Sequence, residues 1–383
     1  MLKQKIGILG GGQLGRMLLE ASIPLNFDLS ILDENSEYPA ANICQNFYEG
    51  SFANYEDVMQ FGLAMDIITV EIESVNVAAL ISLEQHGKKV FPQSHVLETI
   101  NDKGLQKMFF TNNNLPTANY LFFENKEEVI LAIESKVITF PFVQKIRTGG
   151  YDGKGVSIVR SSEDLDIIFD APCIVEENID IQKELSVIVC RDEKGNVAAY
   201  PPVEMDFHPT ANLVEFLFCP AEISKDLHEK AVEISRSLSE KLNIVGLLAV
   251  EMFLDTKGEI LINEIAPRPH NSGHHTIEAN YTSQFEQHLR AISGLPLGST
   301  ELIMPAVMIN LLGEEGYKGL AQYDGLEQVI SQQGVYVHLY NKKMTSPKRK
   351  MGHITIIDTD INIAKEKASK IKEILKVTSK DNL

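Results

Sequence analysis

The apolar positions of this chain fall into short runs whose period changes along it. Residues Lys5 to Leu9 make a brief, nearly unbroken apolar run, Gly10 to Gly15 a turn, Gln13 to Ser22 a helical pattern, and Leu29 to Leu32 a second buried run ending at Asp33. This predicts a βαβ opening. Further runs at Ile67 to Glu71 and Lys89 to Phe91, the latter closed by Pro92, extend it, so residues 1–98 read as a small parallel α/β layer.

From residue 99 to 296 the pattern changes. A helical stretch at Asp102 to Asn113 precedes strand-like runs at Val137 to Ile146, Val156 to Arg160 and Cys173 to Glu177. Glu184 to Cys190 and Asn196 to Pro201 flank the turn Asp192 to Gly195 and predict one hairpin; Leu247 to Leu254 and Glu259 to Ile265 predict another. Leu227 to Lys241 has the spacing of an amphipathic helix. A long antiparallel sheet is expected. Residues 297–383, with strands at Val335 to Tyr340 and His353 to Ile357 and a charged helix at Ile363 to Leu375, read as a small third domain.

At 383 residues the chain exceeds what one hydrophobic core usually serves, which fits two or three domains. Its 53 acidic and 35 basic residues give a net charge of -18, against nucleic acid as a partner, because such binding needs a basic face. Cys44, Cys173, Cys190 and Cys219 show neither zinc spacing nor a Cys-x-x-Cys pair. Reduced thiols and a cytoplasmic location are expected, since the start has no signal-like apolar stretch and no later run nears the roughly 20 apolar residues of a membrane span.

Two glycine-rich segments bear on chemistry. Gly10-Gly11-Gly12-Gln13-Leu14-Gly15 satisfies Gly-x-Gly-x-x-Gly, with Asp33 about 20 residues on where a ribose-binding acid would sit. Alone it fits an NAD oxidoreductase, a plain strand-to-helix turn, or a helix N-terminus that accepts another anion. Gly149 to Gly155 holds four glycines, Tyr151, Asp152 and Lys154, and lacks the Ser or Thr of a Walker A loop, so a mobile lid over a triphosphate fits better. Lys145 lies on the strand leading in, where its ammonium could meet phosphates.

Glu251 and Glu264 lie on the two arms of the hairpin turning at Asp255 to Gly258. If Leu254 pairs with Glu259, Glu251 faces Ile262 and Glu264 is its diagonal neighbour, about 7 to 8 Å away. Two acids within apolar strands imply a cation, and Mg²⁺ takes few carboxylates. Zinc on His270, His274 and His275 is disfavoured, because Pro269 breaks the helix such a site would use. Lys342, Lys348, Arg349, Lys350 and His353 form a basic patch suited to a substrate phosphate.

Gly10 to Met17, Thr69-Val70-Glu71-Ile72-Glu73, Arg147 to Gly155, Asn263 to His274 and Lys350-Met351-Gly352-His353 together resemble the signature segments of the ATP-grasp 5-(carboxyamino)imidazole ribonucleotide synthetases of purine biosynthesis. The resemblance implies an ATP-grasp fold, α/β overall and α+β in the ATP lobe, with an N-terminal Rossmann-like domain (1–98), an ATP-grasp domain (99–296) and a small C-terminal domain (297–383). It implies ATP, Mg²⁺, bicarbonate and 5-aminoimidazole ribonucleotide as ligands, no nucleic acid or membrane partner, and a homodimer.

By position, Lys103, Lys145, Gly150, Tyr151, Asp152, Gly153, Lys154, Gly155 and Val156 would hold the phosphates, Glu176, Glu177, Asn178 and Ile179 the adenine, and Glu184 the ribose, with His208, Asn263 and Glu264 completing the nucleotide site. Glu251 and Glu264 would carry the metal. Gln13, Glu73, Tyr151, Asp152, Lys154, Arg268, His270, Asn271, Ser272, Lys342, Arg349 and Lys350 would receive the ribonucleotide, with Lys154, Arg268, Asp152 and His270 nearest the chemistry. Lys103 stands where the family usually has Arg. The tail is one residue longer than usual between Tyr340 and His353, which leaves Lys342 and Lys343 both open as the family lysine. Competing readings are a formate-dependent glycinamide ribonucleotide transformylase, an NAD oxidoreductase, and a catalytically silent nucleotide-binding subunit.

Overall fold

A computed structural model of the protein describes residues 4–150, 154–207 and 213–380. Strands β1 (Lys5–Leu9), β2 (Asp28–Asp33), β3 (Asn46–Glu49), β4 (Ile67–Val70) and β5 (Lys89–Val90) form a parallel sheet in the order β3-β2-β1-β4-β5. Helices α1 (Gln13–Ser22), α2 (Tyr55–Leu63) and α3 (Val77–Gln85) make the crossovers. The central strands are apolar on both faces because both are covered, as parallel sheets require. Ile6, Ile8 and Ile31 pack with α1 in one core; Leu9, Ile68 and Val70 pack with α2 and α3 in another.

Helices α4 (Ser94–Asn101) and α5 (Lys103–Asn112) lead into a four-stranded sheet of β6 (Tyr120–Phe123), β7 (Phe142–Ile146), β8 (Val156–Val159) and β9 (Cys173–Glu177), backed by α6 (Lys126–Glu134). Asp102 starts α5: one carboxylate oxygen accepts from the N–H groups of Gly104 (2.7 Å) and Leu105 (3.2 Å), satisfying donors the first turn would leave free. The same carboxylate takes a two-pronged ion pair from Arg147, which ties the helix to the strand before the glycine loop.

The second lobe is built on β10 (Ile181–Arg191), β11 (Val197–Ala199), β12 (Val203–Phe207), β13 (Val214–Cys219), α7 (Lys225–Leu242), β14 (Gly246–Asp255) and β15 (Ile260–Ala266). Short α8 (Thr276–Ala279) and α9 (Gln284–Ile292) follow, then β16 (Ala306–Leu312), β17 (Gly319–Asp324), α10 (Leu326–Ile330), β18 (Val335–Leu339), β19 (Met344–Thr345), β20 (Lys350–Ile357), α11 (Ile361–Ile374) and β21 (Lys376–Ser379). One antiparallel sheet runs β15-β14-β10-β12-β13-β16-β20-β18. The segment beyond Pro296, expected as a small third domain, shares this sheet with the second lobe: β13 pairs β16 with Phe216 opposite Ile309 and Phe218 opposite Val307.

Candidate active site

Strands β7 and β8 are the antiparallel arms of the second glycine loop, with Lys145 opposite Val156. Gly149 and Gly155 both have φ of +79°, a backbone conformation glycine adopts without strain. A Cβ at Gly150 would lie 2.8 Å from the Lys154 carbonyl oxygen, so the flanks of the loop approach as closely as glycine allows. Tyr151, Asp152 and Gly153 of this loop, and His208, lie outside the described residues.

Three lysines and three polar groups converge below the loop, around a recess lined by Lys103, Gln106, Lys107, Lys145, Ile174, Glu176 and Asn263. Glu176 is 3% exposed; its two oxygens pair separately with Lys107 Nζ (2.7 Å) and Lys145 Nζ (2.9 Å). These ammonium groups hold the Glu176 carboxyl below its ordinary value although burial pushes it up. The sequence expectation placed Glu176 along an adenine edge. In the structure its carboxylate turns inward, onto Lys107 and Lys145. Lys107 was not anticipated, although it lies four residues from Lys103 on one helix face, which is the signal that could have found it.

The metal expectation needs one correction in register. Leu254 pairs with Ile260, not Glu259, and although Met252 pairs with Ile262, Glu251 pairs with Glu264, so a one-residue offset in register and a β-bulge at Asn263 together bring the two acids directly opposite rather than diagonal. The bulge also lets Asn263 and Glu264 both lie off the core that takes Ile262 and Ile265. Asn263 Oδ1 accepts from Lys145 Nζ (2.8 Å), and Glu264 pairs with Lys103 Nζ (2.6 Å). Burial, then the neighbouring Glu264 and Glu184, push the Glu251 carboxyl up to about 8, while Lys103 holds Glu264 well below its ordinary value against the effect of burial. Burial alone pushes Glu184, on β10, up to about 7.

Two opposed carboxylates, one kept from ionising for want of positive charge, fit a hard divalent cation that takes one or two protein carboxylates and completes its shell with phosphate and water. Among the described residues no group of three or more His, Cys, Asp or Glu side chains is placed to hold a metal.

Beside the carboxylates, His270 Nε2 lies 3.3 Å from Glu251 Oε1 and its Nδ1 2.9 Å from Ser272 Oγ. Burial, with Arg268 and Lys350 nearby, lowers His270 to about 3, so the ring is neutral and the Glu251 contact is not an ion pair. Ser272, expected to touch substrate, is 1% exposed and shares its hydroxyl with Ser186 (2.8 Å) and His270; it braces the imidazole from behind. Asn271 exchanges two amide hydrogen bonds with Asn310 of β16 (2.8 and 2.9 Å). Glu177 is engaged by the backbone N–H and side-chain amide of Asn119.

Arg268 Nη2 pairs with Glu73 Oε1 at 2.8 Å, which joins the second lobe to the parallel-sheet domain, where Gln13 opens α1. Lys342 Nζ donates to the Lys350 carbonyl (2.7 Å), whereas Lys343 pairs with Glu37 (2.7 Å). Lys342, not Lys343, is thus the tail lysine that faces the Lys350 strand. Arg349 donates to the Met344 carbonyl on the exposed rim.

The first glycine loop is not free to take a dinucleotide. Gly11 N–H donates to Asp33 Oδ2 (2.5 Å), Gly12 N–H to Glu71 Oε1 (2.9 Å) and Gly15 N–H to Glu71 Oε2 (2.8 Å), so a carboxylate of the chain takes the loop N–H groups a pyrophosphate would use.

Comparison with known proteins agrees with this arrangement. Residues 3–101 match the ribonucleotide synthetase preATP-grasp domain, 108–285 the ATP-grasp domain, and 306–367 the phosphoribosylaminoimidazole carboxylase C-terminal domain. The chain is 35% identical over 357 residues to N5-carboxyaminoimidazole ribonucleotide synthase of Bacillus subtilis, covering 92% of this chain and 91% of that one. It is 38% identical to phosphoribosylaminoimidazole carboxylase of Ogataea methanolica, spanning 67% of that longer protein. The fold matches the Thermotoga maritima N5-carboxyaminoimidazole ribonucleotide synthetase with a TM-score of 0.90 at 43% identity, covering 98% of this chain and 100% of that one. It also matches the Aspergillus clavatus N5-carboxyaminoimidazole synthase, in complex with ADP and 5-aminoimidazole ribonucleotide, with a TM-score of 0.88 at 32% identity, covering 97% and 98%. With all three of its segments matched in order and relatives aligned over nine tenths of their length, the chain belongs to the ATP-grasp N5-carboxyaminoimidazole ribonucleotide synthase family.

Proposed function

We propose that this chain is an ATP-dependent carbon–nitrogen ligase that carboxylates 5-aminoimidazole ribonucleotide with bicarbonate, releasing ADP and phosphate, in purine biosynthesis. The observation that carries the reading is the single constellation formed by the Lys103–Lys107–Lys145 cations and the opposed Glu251 and Glu264, with Arg268 and His270 alongside. Bicarbonate oxygen attacks the γ-phosphoryl group and ADP leaves, giving carboxyphosphate; the exocyclic amine then takes the carboxyl group, expelling phosphate and losing a proton. Lys103 and Lys145 neutralise phosphate charge, the glycine loop excludes water, and Arg268 and the Lys342–Lys350 patch orient the ribonucleotide. Glu251 and Glu264 would hold Mg²⁺, which, when bound, neutralises the phosphates between the lobes.

The three-domain division at residues 98 and 296, the homodimer and the cytoplasmic location belong to the same proposal. No helix of the described residues is long and apolar enough to cross a membrane.

The test is ADP release with Mg-ATP and 5-aminoimidazole ribonucleotide, with bicarbonate or with formate in bicarbonate-depleted buffer. Carboxylated product forming in step with ADP, and only with bicarbonate, is expected. ADP without that product would move the acid substrate, and formyl transfer would favour the transformylase alternative. No ATP turnover would leave a silent nucleotide-binding subunit.

A further inference from the structure

Glu71 has no part in the chemistry above, yet the first glycine loop is built around it. It follows directly on β4, and its backbone N–H still donates to the Leu9 carbonyl (3.0 Å), which carries its side chain to the end of the sheet where β1 passes into α1. There its two oxygens accept from Gly12 and Gly15. A Cβ at Gly10 would lie 2.4 Å from Glu71 Cγ, and one at Gly12 would lie 2.5 Å from Oε1. The glycines that admit a phosphate in a dinucleotide site here admit a carboxylate of the chain itself.

We propose that Glu71 is a positioning residue for the ribonucleotide half of the reaction. Gln13 lies between the two N–H groups that Glu71 fixes, and Glu73, two residues beyond, holds Arg268 at 2.8 Å. One carboxylate therefore sets both points at which the parallel-sheet domain is proposed to meet the ribonucleotide. The inference rests on the ligase reading above. Glu71 acts through these neighbours and not on the substrate. A carboxylate is required because both partners are donors: a glutamine offers one acceptor and turns its amide N–H₂ toward the other N–H.

Steady-state kinetics on full-length Glu71→Gln and Glu71→Ala separate this role from a structural one. In Glu71→Gln the KM for aminoimidazole ribonucleotide should rise about tenfold while kcat and the KM for ATP stay within about twofold. In Glu71→Ala, sodium acetate should partly restore the ribonucleotide KM relative to sodium chloride at equal ionic strength. Gly12→Ala displaces the same carboxylate from the opposite side and should reproduce the signature if either Glu71 variant fails to fold. An unchanged ribonucleotide KM in a folded variant, or equal rises in both KM values with no acetate response, overturns the proposal. Wild-type enzyme that neither turns over nor binds the ribonucleotide by calorimetry overturns the ligase reading and this inference together.

Discussion

Glu176 holds two ammonium groups in a place almost sealed from water, and which of the three is removed decides the outcome. Burial, outweighing Glu176, lowers Lys107 to about 8, so its charged form is held at a penalty. In Lys107→Met the carboxylate keeps Lys145, and the loss should stay near 1 kcal/mol. Glu176→Gln instead removes the counter-charge shared by two buried ammonium groups and should cost about 3 kcal/mol or more. Urea midpoints of the two variants against wild type check the order; equal losses would mean the triad does not share charge as its geometry indicates. Glu264→Gln should abolish turnover while leaving the fold, as read by far-UV circular dichroism and ADP release. Retained activity with normal magnesium dependence would remove Glu264 from the metal site. Glu251, Glu264 and Lys145 stood out in the sequence because their charges lie in apolar or glycyl surroundings, whereas Arg268 was reached through the family resemblance. Side-chain direction was not: nothing along the chain shows that Glu176 faces Lys107 or that Ser272 sits behind His270.

The bulge at Asn263 is where element-scale prediction met its limit. The run Ile260 to Ile265 shows an apolar strand, but the partner of Glu251 moves two places, from Ile262 to Glu264: one because Leu254 pairs with Ile260 and not Glu259, one because of the bulge, and both depend on the geometry of the two strands. The consequence is that Asn263 reaches Lys145. Asn263→Ala should raise the KM for ATP about tenfold, the loss of one charge-assisted hydrogen bond, with little change in the ribonucleotide KM. Steady-state kinetics varying each substrate in turn would show it, and a normal ATP KM would mean that Glu176 alone positions Lys145. The glycine turn after β1 shows the converse. Its fingerprint was plain, but the residues alone left three readings open, and only the fold brings Glu71 into it. ATP should therefore raise the melting temperature while NADH leaves it unchanged; an NADH shift would reopen the dinucleotide reading.

Across the whole molecule, histidines buried in neutral form set its response to acid. Burial lowers His275 and His288 to about 4 and holds His274 and His353 well below the usual imidazole range. The unfolded chain takes up these protons near pH 6.5 and the folded chain does not, so stability present above 6.5 is lost as pH falls toward 4. His288 bridges the domains, with Nε2 2.8 Å from Thr69 Oγ1 and Nδ1 accepting from Leu247 N–H. His288→Asn, which can offer one acceptor and one donor, should narrow the drop in melting temperature between pH 7 and pH 5; an undiminished drop would assign the acid sensitivity to other groups. The parallel layer and both hairpins were legible from periodicity, since each is a local pattern. The joining of β13 to β16 was not, because 86 residues separate Cys219 from its partner Ala306. That joint governs how the gene can be recombined. A truncation at the apparent seam near residue 296 would leave β13 with a bare edge open to intermolecular pairing, and a tail exchanged between relatives at that point must supply a strand that fits β13 in place of β16.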